Sequence, residues 1–331
     1  MDRARARPVS LTIRAPIGLA LAVCAAFLLA AATDDLRESP LRSLRWTDPA
    51  ARLEATTRQP LECLARPAED RERAAIEVGR AAFRTPLLLG GLAARTGLSC
   101  ESCHSNGRRN PAFRFDGLSG APGTADVTSS MMSSHRGNAV FDPKPIPDLA
   151  APGKISRSPA SPALRSFLHG LITEEFDGRE PPAAVLDGLS AYVRAIDAAN
   201  CAANEHQPIT AARWIDDANR AMAAARERWQ AHDSAASVIM LGAARHALGR
   251  LDERYRGLPH DHAALARADS EIARIRKSVE AGGAGGALAD RAMLGWSQNA
   301  RRWQDRLTHD EPLSLFQPSR LAQALTESAP P

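Results

Sequence analysis

Two thiols three positions apart and an imidazole directly after them, in Ser99-Cys100-Glu101-Ser102-Cys103-His104, are residue types and a spacing suited to one particular chemistry. Each thiol can add across a porphyrin vinyl group to form a thioether, and the imidazole then lies under the iron as its proximal ligand, which is the attachment signature of c-type haem. Cys100 and Cys103 are therefore expected to hold one covalent haem c, and His104 to bind its iron. Other uses of the motif fit less well. Structural zinc takes four N or S ligands, commonly from two paired knuckles, and no second Cys pair occurs in the 331 residues. A dithiol oxidoreductase needs a strand leading into its motif, and Thr96-Gly97-Leu98-Ser99 is too short and too glycine-marked for one.

The iron's sixth ligand decides what such a site does, because a closed site shuttles electrons whereas an open one binds oxygen species. Met131 and Met132 are the methionines near the motif and are slightly favoured; His135 and His169 are the histidine alternatives, and an unliganded iron is a further one. The proximal ring of His104 should be oriented by a backbone carbonyl, with Pro111 as the expected partner. Two functions separate here. A mono-haem electron carrier needs no acid or base, and this is the favoured reading. The alternative is a peroxidase-like enzyme reducing hydrogen peroxide, with or without a partner haem protein, which needs a vacant distal side and a proton-transfer group. Glu174 and Glu175 are the carboxylates at hand, but neighbours in sequence do not share a face, and a solvated role near a turn is expected for both. In a third class the haem part only anchors or senses and another part binds a partner.

The elements that must position these residues begin with a leader. Arg3, Arg5, Arg7 and Arg14 precede an uncharged apolar stretch that ends in Ala30-Ala31-Ala32, the pattern of a secretory signal peptide over residues 1–32. That predicts a periplasmic protein, with membrane contact only through this segment if it stays uncleaved. A lipidation site at Cys24 is a poor match, since Val23 precedes it and apolar residues follow. The leader's four arginines against Asp2 account for three of the four net positive charges, which leaves no case for nucleic acid; the partners expected are a redox protein or a small electron donor or acceptor. Of the remaining cysteines, Cys63 and Cys201 flank the haem region, and in an oxidising compartment such a pair is expected as a disulfide, the alternative being two unpaired thiols.

Residues 33–70, rich in proline and charge with Trp46 as the one large anchor, predict an irregular lead-in ordered by later segments. Ile76, Gly79 and Phe83 mark a short amphipathic helix ended by Pro86 and Gly90-Gly91. A long Gly-, Ser- and Pro-rich stretch after His104 must wrap something. After it, Pro181-Pro182 opens a helix whose face is Val185, Leu186, Leu189, Val193 and Ile196. These features together, with Leu189 through Ile196 as a closing helix, resemble the core of the cytochromes c. In that family a glycine on the first helix lets it cross the last one closely, with aromatic rings filling the contact. Gly79-Arg80-Ala81-Ala82-Phe83, the CxxCH and Phe113 through Gly117 are most similar to the bacterial di-haem cytochrome c peroxidases, which carry two CxxCH motifs where this chain has one. The likeness covers about 70 to 200, so a cytochrome c-like haem domain is expected at 71–201.

The rest is of another kind. Stripes at helical spacing run through Trp214–Trp229, Leu241–Tyr255, Leu265–Val279 and Leu288–Leu307, joined at Gly257-Leu258-Pro259 and at the Gly282–Gly286 glycines. They predict a C-terminal helical bundle over 205–320 with tryptophan and methionine in its core, His232, His246, His260, His262 and His309 on its surface, and a disordered tail at 321–331. The expected fold class is all-α.

Overall fold

The computed structural model describes residues 40–129, 131–135, 137–201, 205–282 and 284–327, without the side chains of 284–287; the predicted leader, Cys24 and Ser328 through Pro331 lie outside them. Helices carry the fold, and strands among the described residues are confined to two short antiparallel pairs, so the protein is all-α. None of the described helices is long and apolar enough to cross a membrane.

The lead-in is more regular than its composition suggests. Helical turns at Arg42–Trp46 and Pro49–Ala51 run into helix α1 (Arg52–Thr57) and strand β1 (Arg58–Pro60). Trp46 is the anchor, buried in one cluster with Leu89, Phe113 and Leu118. Helix α2 (Asp70–Arg84) starts with Asp70 and Glu72 and ends on Arg84, the charge order that complements the helix dipole. Gly90-Gly91 does more than end a helix, because Gly91 opens a further one, α3 (Gly91–Thr96), which stops at left-handed Gly97. The motif helix α4 (Cys100–Cys103) follows. The wrapping stretch contains little regular structure beyond β2 (Thr124–Ala125) paired with β3 (Lys144–Pro145). Helix α5 (Ala163–Gly170) continues into a π-helical turn, Leu171–Glu175, and α6 (Ala183–Ala195) starts just after Pro181-Pro182.

Helices α2 and α6 cross at two glycines. A Cβ on Gly79 would lie 1.9 Å from the Gly188 carbonyl oxygen, so the backbones touch where no larger residue fits. Beside the crossing the rings of Phe83 and Tyr192 pack with centroids 5.0 Å apart. The chain entering this pair and the chain leaving it are tied together. Ala65 N–H donates to Ala195 O and Asp197 N–H to Cys63 O, and β1 pairs with β4 (His206–Pro208), Arg58 opposite Pro208.

Four longer helices follow: α7 (Ala211–Gln230), α8 (Ser234–Tyr255), α9 (Pro259–Ala281) and α10 (Ala284–Asp310). Each packs on the next and α10 returns to α7, the closure of a four-helix bundle. Leu241, Leu248, Leu251 and Tyr255 are fully buried, as their spacing predicts, and Met222, Met240, Met293 and Trp296 are core. The α10 stripe lies inward at Trp296, Ala300 and Leu307, with Ala292 and Trp303 packed beside them; only at its start does it differ, where Leu288 is exposed and Ala289 and Met293 take the inward positions of an overlapping helical register. The segment from 321 is not an irregular tail throughout: Pro318–Glu327 forms α11, and Leu321 is buried against Leu41 and Leu44 of the lead-in. Helix α2 also packs on α7 and α8, so the bundle and the glycine-crossed pair share one core.

Candidate functional site

The motif helix is only one turn long and depends on its side chains for closure. Ser99 N–H donates to Ser102 Oγ at 3.1 Å in a capping box. Asn110 then clamps the other end, its N–H on Cys103 O and its Nδ2 on Ser102 O. Cys100 and Cys103 are half-buried thiols without a disulfide partner. Burial pushes the Cys100 thiol up to about 12 and that of Cys103 higher still, so both are protonated S–H groups at neutral pH.

His104 is held by the wrap, from a place other than the one expected. Its Nδ1 lies 3.0 Å from the carbonyl of Pro147, not of Pro111. A carbonyl can only accept, so the proton sits on Nδ1 and the lone pair on Nε2, which has no hydrogen-bond partner among the described residues. The wrap reaches this far because it folds back on the motif: Leu149 N–H donates to Gly107 O, and Ile146 N–H to Gly123 O. Pro111 is taken up by that fold instead, 3.3 Å from where a Cβ on left-handed Gly123 would sit. Burial lowers the His104 pKa to about 4 against the opposing pull of Pro147 and Asp148, which leaves a neutral imidazole. Phe83 comes from the α2–α6 crossing to within 6.4 Å of the His104 ring, centroid to centroid.

The donor set fits a covalent haem. Two protonated thiols one helical turn apart, with a neutral imidazole whose Nε2 is available, are the groups that thioether formation and iron ligation require. Among the described residues no three His, Cys, Asp or Glu side chains gather to hold an ion; a haem iron takes four ligands from the porphyrin and asks only one or two of the protein.

The four sixth-ligand candidates sit in different surroundings. Met132 is fully buried in the cluster of Trp46, Phe113 and Leu118 that packs against Cys103. Met131 is 42% exposed, its methyl group lying where a Cβ on Gly117 would fall. His135 is exposed and its Nδ1 lies 3.0 Å from Asp177 Oδ1, which leaves Nε2 outward. His169, on α5, places its Nε2 2.7 Å from Glu180. The carboxylates divide as well. Glu174 is exposed, but Glu175 is buried, contrary to a solvated role, since the π-helical turn points the two in opposite directions. The sulfurs of Cys63 and Cys201 lie at bonding distance, with 5.3 Å between the Cα atoms.

A buried charged layer behind the motif is absent from the sequence reading. Arg80 and Arg84 of α2 converge on Glu62, at 2.8 Å each, and Arg80 also reaches Asp217 of α7 at 2.6 Å. Tyr192 O–H donates to Glu62 at 2.8 Å, and Arg84 also donates to Asn106 Oδ1, whose N–H in turn binds Glu101 of the motif. Burial alone would raise Glu62, but Arg84 and Arg80, helped by hydrogen bonds from Arg80 and Tyr192, hold it down at about 2. The available signal was the i, i+4 pair of arginines flanking Phe83 on a helix whose neighbours are apolar. His246 belongs to the same region. It is half-buried rather than on the surface, and burial together with Arg250 and Arg42 keeps it neutral. No family model, no curated protein and no solved structure matches this chain.

Proposed function

We propose that this chain is an exported mono-haem c-type cytochrome that accepts and passes single electrons, with residues 71–201 as its cytochrome c-like part. The observation that carries the reading is the trio at the motif: Cys100 and Cys103 as unpaired thiols, and His104 with Nδ1 on Pro147 O and Nε2 available. The glycine crossing of α2 on α6, with Phe83 set between Tyr192 and His104, supports it, because it fixes the wall behind the proximal ring. A bound haem would supply a one-electron couple whose potential depends on axial ligand, burial and nearby hydrogen bonds. The chain's own part is to keep His104 neutral and rotationally fixed and to exclude water with the Trp46–Phe113–Met132 cluster. Of Met131, Met132, His135 and His169, the methionine pair is slightly favoured as the further ligand; a thioether there would raise the potential and favour electron transfer over peroxide chemistry. Export accords with the leader pattern and with Cys63 and Cys201, a pair that needs an oxidising compartment. The partner is a redox protein or a small donor or acceptor.

The test is made on protein produced with the haem-attachment machinery. Pigment should stay with the polypeptide through denaturation and acid-acetone extraction and be lost from a Cys100→Ser, Cys103→Ser variant; an unpigmented wild-type chain overturns the proposal. A weak far-red band in the ferric spectrum, abolished by Met131→Ala with Met132→Ala, is expected for methionine ligation. An unchanged spectrum rejects both methionines, and a high-spin spectrum with rapid peroxide reaction moves the assignment to a peroxidase.

A further inference from the structure

Behind the motif helix lies a cavity of about 110 Å³, walled by Arg42 and Trp46 of the lead-in, Glu101 of α4, Trp214 of α7, and Arg250 and Arg254 of α8. It has room for more than one water, and charged side chains stand on its wall among apolar and neutral polar ones. The pairing of these charges is incomplete. Glu253 is taken by Arg42, which meets it through Nε at 2.6 Å and through its backbone N–H at 3.0 Å. Arg84, also on the cavity wall, is committed to Glu62. Arg254 is 2% exposed and has no carboxylate partner. Two of its nitrogens donate to the carbonyls of Leu315 and Thr56, and its Nε is buried without a hydrogen bond. Arg250 has no hydrogen bond or ion pair among the described residues; its guanidinium lies flat on Trp214, 4.1 Å from the ring centroid.

Guanidinium groups that share their counter-charges with other arginines are costly to bury, and the stacking of half-buried Arg250 on an indole offsets only part of that cost. Burial, and then the two arginines' own repulsion, pulls Arg254 down to about 9. Of the carboxyls that act on Arg250, Asp217 is held by Arg80, Glu253 by Arg42, and Glu101 lies 3.8 Å from Arg84 Nη2, its Oε2 buried without a hydrogen bond and its pKa raised by burial.

We infer that this cavity binds a small free oxyanion of the phosphate or sulfate class, gripped by Arg250 and by the unpartnered Nε of Arg254. The Arg250 guanidinium can offer its fork to a tetrahedral oxyanion, and Arg254, whose Nη1 and Nη2 donate to carbonyls, adds its Nε. The site does not rest on the haem assignment, since none of its contacts uses Cys100, Cys103 or His104.

The test is calorimetric titration of the full, matured protein with inorganic phosphate and then sulfate, at ionic strength held constant with chloride. One saturable site is expected, accompanied by a change in tryptophan fluorescence that Trp214→Phe removes, because Arg250 lies on that ring. Arg250→Gln should weaken binding by about tenfold or more, while Arg250→Lys, which keeps the charge but not the fork, restores only part of it. A wild-type protein that gives no saturable heat with either anion overturns the site whatever the variants do. Equal affinity in Arg250→Gln overturns the assignment of Arg250, as does equal competition by chloride.

Discussion

Helix α2 is buried on two sides by opposite means. Toward α6 it presents Gly79, and the helices meet backbone to backbone, with Phe83 on Tyr192 beside them. Toward α7 and α8 it presents Arg80 and Arg84, and the contact is made by ion pairs to Glu62 and Asp217. The first contact is dry and depends on the absence of a side chain. The second depends on side chains whose charges would be costly if left alone. One helix thus joins the motif region to the bundle through a steric lock on one side and an electrostatic one on the other, and the two should fail differently.

The largest effect should come from the charged side. Arg84→Ala leaves Glu62 and Asp217 buried with only Arg80 between them and takes a donor from Tyr192 and Asn106, and removing one partner of a buried pair costs about 3–5 kcal/mol. Denaturant unfolding of the matured protein measures it, and a loss under about 1 kcal/mol would mean that the layer is balanced by water instead.

The same layer predicts a response to acid. Glu62 is held at about 2, below its ordinary value of 4.5, so its contribution is complete above about 4.5 and disappears as pH falls toward 2. The denaturation midpoint should drop through that window. In Glu62→Gln, already weakened at neutral pH, the midpoint should lose that part of its pH dependence. An equally steep response in the variant would place the acid sensitivity elsewhere.

On the steric side, Gly79→Ala puts a methyl group 1.9 Å from the Gly188 carbonyl oxygen, a rigid neighbour. Overpacking of this kind costs about 1–3 kcal/mol, and α2 must move off α6 to relieve it. The movement would shift Phe83 against His104, so the spectrum of a haem held there as proposed should change along with stability. A stability loss with an unaltered spectrum would separate the crossing from the site.

These two sides also show what the sequence could disclose. The glycine face was legible, because Gly79, Phe83 and the Leu189–Ile196 face follow helical spacing. The bundle was legible for the same reason, save at the start of α10, where Leu288 and Ala289 offer overlapping registers. That Cys100, Cys103 and His104 lie together was legible, since their spacing is local. The Pro147 carbonyl on His104 was not, because a wrapping segment with two-residue strands has no period that reveals where it turns back. Nor was the charged layer, whose partners Glu62, Arg84 and Asp217 come from three distant segments, each reading alone as an ordinary surface charge.

The smallest effect tests whether burial is the variable that matters. Arg165 and Asp187 join α5 to α6 with a 2.7 Å contact, as short as those of Arg84, but both side chains are largely exposed. In water the Coulomb gain is screened and opposed by the entropy of ordering two long side chains, so Arg165→Ala should cost about 0.2–1 kcal/mol, less at high salt. The comparison is made against Arg84→Ala at low and high ionic strength. The exposed pair should lose what little it contributes as salt rises, while the buried layer barely responds. If Arg165→Ala proved as damaging as Arg84→Ala, contact geometry rather than desolvation would govern both, and the electrostatic side of α2 would owe nothing special to being buried.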